Sequence, residues 1–334
     1  MNPQEKVRQL RSIIRQRLTP LIKGDYLLAD APYHSNIGDS LIWHGQLDFL
    51  STLPGRNLGT SNPVTFTFPE VSGDVTILLQ GGGSFGDLWR YYDEFRMKVV
   101  RHYHGNPIVV FPQSVWYDDI TLAAKDAEVY AAHPNLWICV RDRWSYDFMV
   151  RHFPKVRVML VPDMAFFMSE KILDKWRGRS ADRNLFLLRT DKELVVSHVD
   201  VNGDKGLQNY DVRDWPTRER EPKWIYWLDR FSYAFSWRLK SFPRLLRLAE
   251  GVVDKLSDRY IRRYNTSVGL KFLSSYDVIV TSRLHVMILA ILLHKTGIFY
   301  IDNVSKKLSA FSETWLSDME GVSPYIKTNV DSNL

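Results

Sequence analysis

Residues 276–293 read YDVIVTSRLHVMILAILL, and the reading of this stretch decides the fold. An apolar run of strand character, Asp277–Thr281, leads into the triplet Arg283-Leu284-His285 and then into Val286–Leu293, an apolar run suited to a buried helix. A strand feeding a helix through so short a link sets a guanidinium and an imidazole beside unpaired helix N–H groups, which suits an anion and a proton transfer. The same residues also fit a buried turn in which the arginine caps carbonyls and the histidine is satisfied in the core.

Working outward, the chain alternates apolar strands with helical stretches. Tyr26–Asp30, Val75–Gln80, Pro107–Pro112, Leu136–Val140 and Val156–Val161 have strand character, and Leu41–Leu50, Glu94–Tyr103, Ile120–Ala132 and Trp144–Phe153 have helical character. That alternation predicts an α/β fold with a parallel sheet covered on both faces and ligands gathered at the carboxyl ends of the strands. The loops there carry Asn36 and Asp39, the run Gly81-Gly82-Gly83-Ser84, Gln113-Ser114 and Arg141-Asp142, all expected to face one crevice. A second domain is expected from Asn184–Arg189 onward, with helices around Trp224–Leu239 and Phe242–Tyr264 and strands Asp277–Thr281 and Gly297–Ile301. Residues 197–227, rich in Asp, Arg, Gly and Trp, have little periodicity and read as a long binding loop or lid.

Composition narrows the classes. The 334 residues include 45% apolar types, enough for two domain cores, and 44 basic against 38 acidic residues give a net charge of +6 and a pI near 9.2. Anionic partners are favoured, but no basic tract interleaved with stacking aromatics forms a nucleic-acid module, so nucleic acid is not expected. The single cysteine, Cys139, excludes a disulfide framework and a thiolate metal site, and no histidine pair has metal-binding helical spacing; neither a metal nor a cofactor is expected. The longest apolar run is too short to span a bilayer and residues 1–23 lack the apolar core of a secretory signal, which predicts a cytoplasmic protein. Within 2–23, Val7, Leu10, Ile14 and Leu18 recur at helical spacing among Lys and Arg. Such a helix either lies on an anionic leaflet at the inner face of the membrane or packs on the first domain with its basic face solvated.

The order of Asn36-Ile37-Gly38-Asp39, Gly81–Ser84, Arg141-Asp142, Arg283-Leu284-His285 and Asp302-Asn303 before Lys307 resembles the polysaccharide pyruvyl transferase family from about Tyr26 to about Trp315. The resemblance implies two Rossmann-like domains facing a central cleft, as in GT-B enzymes. It divides the chain into a basic helix over 1–24, an N-terminal domain over 25–180, a C-terminal domain over 181–310 containing the 197–227 loop, and a tail over 311–334 that can cross back.

It also implies a reaction in which phosphoenolpyruvate gives its carbon skeleton to two hydroxyls of a sugar, leaving a cyclic ketal and phosphate, as part of capsular or exopolysaccharide assembly. In that reaction His285 is the general acid, and Arg141 and Arg283 clamp the donor's negative charges. Gly82, Gly83, Ser84, Leu284 and Lys307 line the donor, and Asn36 and Asp39 meet the acceptor, a nucleotide sugar or a lipid-linked saccharide. Trp215, with Asp211, Arg213 and Asp214, offers a stacking face for the sugar. Structural alternatives stand beside these roles: a tight glycine turn, a helix cap at Asn36–Asp39, and a surface charge at Lys307, whose neighbour Lys306 competes for its register. Two other functions are compatible with the sequence. One is a GT-B glycosyltransferase whose nucleotide ribose meets Asp302 or Glu313, and the other is a non-catalytic scaffold of polysaccharide assembly.

Overall fold

The computed structural model describes residues 1–179, 182–189, 209–216, 223–224, 227, 242–302 and 306–326. The helix expected around Trp224–Leu239 and most of the 197–227 loop lie outside these residues. The first sheet contains β1 (Tyr26–Ala29), β2 (Asn57–Thr60), β3 (Thr76–Leu79), β4 (Gly82–Gly86), β5 (Ile108–Trp116), β6 (Leu136–Val140) and β7 (Arg157–Leu160). Its order is β2-β1-β3-β5-β6-β7, with β4 paired to β5, and every pair is parallel. The second sheet contains β8 (Asn184–Leu187), β9 (Tyr210–Arg213), β10 (Val278–Thr281), β11 (Gly297–Tyr300) and β12 (Val322–Pro324) in the parallel order β12-β11-β10-β8-β9. The chain is thus mixed α/β with two Rossmann-like parallel sheets.

The cause is visible in the strands. YLLA of β1 and TILL of β3 are buried at all four positions, which requires helices on both faces and therefore parallel crossovers. Leu27, Ile77, Leu79, Val110 and Ile138 pack with Val99, Val100 and Phe153 from the covering helices. In each sheet the direction of winding reverses once. In the first it reverses between β1 and β3, and in the second between β8 and β10. A crevice opens outside the strand ends at such a reversal, because the two following connections leave on opposite faces.

Two compact units are formed from non-contiguous stretches. One comprises Arg11–Met168 and Thr217–Thr266 and holds the first sheet; the other comprises Met1–Leu10, Ser169–Pro216 and Ser267–Leu334 and holds the second. The N-terminal helix, Pro3–Leu18, buries Val7, Leu10, Ile14 and Leu18 while Arg8 and Arg15 face solvent. Arg11 Nε donates to the Phe166 carbonyl at 2.7 Å, and Pro20 ends the helix in the turn Thr19–Leu21. Of the two readings of this segment, packing on protein is the one observed, and its apolar face is not available to insert into a leaflet.

Three local expectations change. The helix expected from Leu41 begins at Ile37, because Asn36 rather than Asp39 is its N-cap: the Asn36 side chain accepts from Gly38 N–H at 2.9 Å. The glycine run is not a free loop, since Gly82–Gly86 pairs with Gln113–Trp116 as β4. Within the stretch read as a long loop, Tyr210–Arg213 forms the edge strand β9, with Val212 and Arg213 exposed.

Candidate active site

At the reversal point of the first sheet, the loop after β1 and the glycines after β3 come together. Asn36 N–H donates to His34 Nδ1 at 3.3 Å, which leaves His34 Nε2 directed at Asp39, 3.7 Å from its carboxylate. Gly82 has φ +140°, and a Cβ there would stand 3.6 Å from Asp39 Oδ1, so the Asp39 carboxylate lies over the glycine cradle. Ser84 N–H donates to Gln113 Oε1 at 3.3 Å, and Gln113 Nε2 donates to the Gln80 carbonyl at 2.6 Å. Gln80 is 4% exposed and its side-chain amide makes no hydrogen bond among the described residues. A buried amide left without a partner next to a glycine cradle marks a place for a polar ligand. Asn36, Asp39, Gly82, Gly83 and Ser84 are thus neighbours.

One guanidinium holds this edge together. Arg96, 1% exposed in the helix Arg90–His102, donates to the Ser84 carbonyl at 2.9 Å and to Ser84 Oγ at 2.6 Å, and pairs with Asp30 at 2.9 Å. Asp30 ends β1 in a left-handed conformation, φ 67°. Burial pushes its carboxyl up to about 6, with Arg96 opposing the shift. Asp93, which accepts from Tyr130 at 2.8 Å, is likewise raised by burial to about 6.

The loop after β1 is also pinned from the far end of the chain. Asp254, in the helix Pro243–Leu256, accepts from Tyr33 Oη at 2.8 Å, Ser61 Oγ at 2.9 Å and Thr65 Oγ1 at 2.9 Å. Asn265 donates to the His34 carbonyl at 3.2 Å and to Ser40 Oγ at 3.0 Å. Desolvation pushes the Asp254 carboxyl up to about 6, only partly offset by its hydroxyl donors. Because the folded value lies above the unfolded one, this group favours folding most below about pH 4, and that contribution is lost as pH rises through about 6. Between about pH 4 and about pH 7 the wild-type protein is expected to lose about 1–2 kcal/mol more stability than Asp254→Asn. Urea unfolding of both proteins at the two pH values checks this, and parallel pH dependences would refute it.

Arg141 lies at the end of β6, two strands from the reversal. It is buried, with Nη1 on Asp163 at 2.8 Å and Nε on Ser114 Oγ at 2.9 Å. Asp142 caps the next helix by accepting from Ser145 N–H at 2.7 Å. Two of the candidate groups expected on a common crevice are therefore engaged within the edge of the sheet.

The second unit repeats the logic at its own reversal. β10 ends at Thr281, whose Oγ1 accepts from Arg283 N–H at 3.0 Å and starts the helix Leu284–Leu292. Every residue of that helix is buried except His285, which is partly exposed in its first turn. Arg283 grips Asp214 with two bonds of 2.6 Å, from Nε and Nη2. Trp215 follows Asp214 but is only 8% exposed, with its ring 6.4 Å from that of Phe272. Lys307 is buried at the start of the helix Lys307–Trp315, preceded by Lys306 with φ 45°. Asp302 caps that helix by accepting from Leu308 N–H at 3.1 Å and Ser309 N–H at 3.2 Å.

Comparison with known proteins settles the class. Residues 36–303 match the polysaccharide pyruvyl transferase family. The chain belongs to that family. It is 30% identical over 322 residues to a protein of Bacillus subtilis (strain 168) named "Putative pyruvyl transferase EpsO", covering 92% of this chain and 91% of that one. It is 29% identical over 309 residues to Pyruvyl transferase 1 of Schizosaccharomyces pombe, covering 87% and 70%. Protein KP1_0663 of Klebsiella pneumoniae, a solved structure, shares the fold with a TM-score of 0.58 at 17% identity, over 91% of this chain and 93% of that one.

This pyruvyl transferase is accordingly a transferase of polysaccharide biosynthesis with a saccharide acceptor. Among its described residues, no group of three His, Cys, Asp or Glu side chains is placed to hold a metal, and no helix is long and apolar enough to cross a membrane. Sequence reasoning missed Asp30, Arg96 and Asp254 as parts of the site's frame. The available signal was a charge set in an apolar surround: Arg96 stands between Phe95 and Met97 on a helix whose next apolar pair is Val99-Val100.

Proposed function

We propose that the protein transfers the carbon skeleton of phosphoenolpyruvate to two hydroxyls of a saccharide, forming a cyclic ketal and releasing phosphate. The observation that carries this reading is His285: in a chain of the pyruvyl transferase family, it is the one side chain not buried in its helix, next to Arg283 at a sheet reversal. His285 protonates the donor's methylene carbon, and positive charge develops at the central carbon. One sugar hydroxyl attacks there, and the second displaces phosphate at the same carbon. The atoms balance, since of the two hydroxyl protons one replaces the proton now in the methyl group and the other leaves with phosphate.

Arg283, oriented by two bonds to Asp214 and standing two residues before His285, supplies preorganised positive charge for the donor's departing phosphate. Asn36 and Asp39 meet the acceptor, a nucleotide-linked or lipid-linked saccharide of a capsular or exopolysaccharide precursor, at the cytoplasmic face of the membrane. The glycosyltransferase reading loses one of its two acids for ribose, because Asp302 is taken up as a helix cap, and keeps the exposed Glu313.

Incubation with phosphoenolpyruvate and a broad set of nucleotide- and lipid-linked sugars tests the proposal. Mass spectrometry is expected to find a pyruvate ketal on at least one sugar, with phosphate released in equal amount. Phosphate-free transfer from a nucleotide sugar would replace this reading with glycosyl transfer.

A further inference from the structure

Beyond the glycine cradle, the carboxyl edge of the first sheet carries an aromatic surface that no step of the reaction uses. Trp116 is the last residue of β5, and its indole lies 5.9 Å from that of Trp144, with 24° between the planes. Trp144 is 44% exposed in the first turn of the helix Arg143–His152, and Trp89 is 46% exposed on the neighbouring loop. The arrangement is fixed by polar bonds. Trp116 Nε1 donates to Asp118 Oδ1 at 3.0 Å, so the indole N–H is satisfied and the ring is held in one orientation. Asp87 N–H donates to the Trp116 carbonyl at 3.1 Å, while Asp87 Oδ2 accepts from the N–H groups of Asp118 and Asp119 at 2.8 Å each. Gly86, with φ +113°, permits this approach: a Cβ there would stand 1.8 Å from the Trp116 carbonyl oxygen.

We propose that Trp116 and Trp144 form a platform for additional sugar residues of the acceptor, outside the sugar that receives the ketal. Rigid indole faces suit the C–H faces of pyranose rings, and the exposed carboxylate of Asp118, with one oxygen on the Trp116 indole, accepts from their hydroxyls with the other. The position fits. Gly82 pairs with Gln113, and Trp116 lies three residues farther along β5, about 10 Å beyond the cradle. An anionic leaflet is the poorer occupant, because Asp87, Asp118 and Asp119 border the surface with negative charge. The proposal rests on the saccharide acceptor of the proposed function.

Saturation-transfer NMR on the full chain, with tetrasaccharides of glucose, galactose, mannose and N-acetylglucosamine as probes, tests it. At least one tetrasaccharide is expected to bind more tightly than its monosaccharide, and its affinity is expected to fall about tenfold in Trp144→Ala and to return in Trp144→Phe. His285→Gln is expected to leave this binding unchanged, since that residue serves only the transfer step. Absence of binding to every tetrasaccharide, or equal binding by wild type and Trp144→Ala, overturns the platform. So does Trp144-dependent sedimentation with phosphatidylglycerol vesicles in the absence of sugar binding, which would mark a lipid surface. The two readings fail separately: donor turnover with Trp144→Ala indifferent to sugars sinks only the platform, and Trp144-dependent sugar binding without donor turnover sinks only the transfer reaction.

Discussion

Phosphate release from phosphoenolpyruvate is expected to fall by about 10²–10⁴-fold when His285 is replaced by glutamine, with little change in the donor's KM. Glutamine keeps the size and a hydrogen-bonding end but cannot deliver a proton to carbon. The substitution sits in the first turn of a helix whose other residues are buried and unchanged, so the fold is expected to persist. A loss confined to kcat identifies an interaction made in the transition state alone, whereas a raised KM with normal kcat would reduce His285 to ordinary donor binding. Stopped-time phosphate assays with any acceptor that shows turnover make the measurement, and a variant retaining more than about half of wild-type kcat would remove His285 from the acid's role.

Arg96→Met is expected to cost about 3–5 kcal/mol of stability near neutral pH, the effect of leaving buried carboxylates without their cation. Asp30 lies 2.9 Å from Arg96 and Asp93 lies 3.7 Å from it, and neither carboxylate is exposed. Methionine replaces much of the volume, so the loss is electrostatic more than a cavity. Its pH dependence follows from the same geometry. Both carboxyls are already raised to about 6 by burial, and without Arg96 they rise further, so protonation relieves the strain at low pH. The deficit should therefore be small at about pH 5 and large at about pH 8. Urea unfolding at both values decides the matter, and a deficit independent of pH would mean that packing, not charge, is what Arg96 supplies.

Much of the architecture could be read from residue patterns because it depends on short-range apolar runs. YLLA, TILL and IVVF announce strands buried on both faces, and the parallel order follows from the helical stretches between them. β9 could not be read in this way. YDVR has no apolar alternation, and it becomes a strand only because β8 offers it a parallel edge. β4 escaped for a similar reason, since glycines carry no strand signal and pairing with β5 alone makes them one. At the candidate site, the placement of Arg283 and His285 at the start of a helix after β10 was legible because the strand-to-helix junction is written locally. Asp214 as the partner of Arg283, Asp163 as that of Arg141 and Asp254 as that of Tyr33 were not, because each pair is brought together by tertiary folding across 22 to 221 positions.

The dispersed origin of the first unit bears on its synthesis. Tyr33, Ser61 and Thr65 leave the ribosome long before Asp254, and His34 and Ser40 long before Asn265. The loops after β1 and β2 must wait for these partners until nearly four-fifths of the chain has emerged. A stop codon or protease cut between the two sheets would therefore yield an aggregation-prone fragment in place of a usable half.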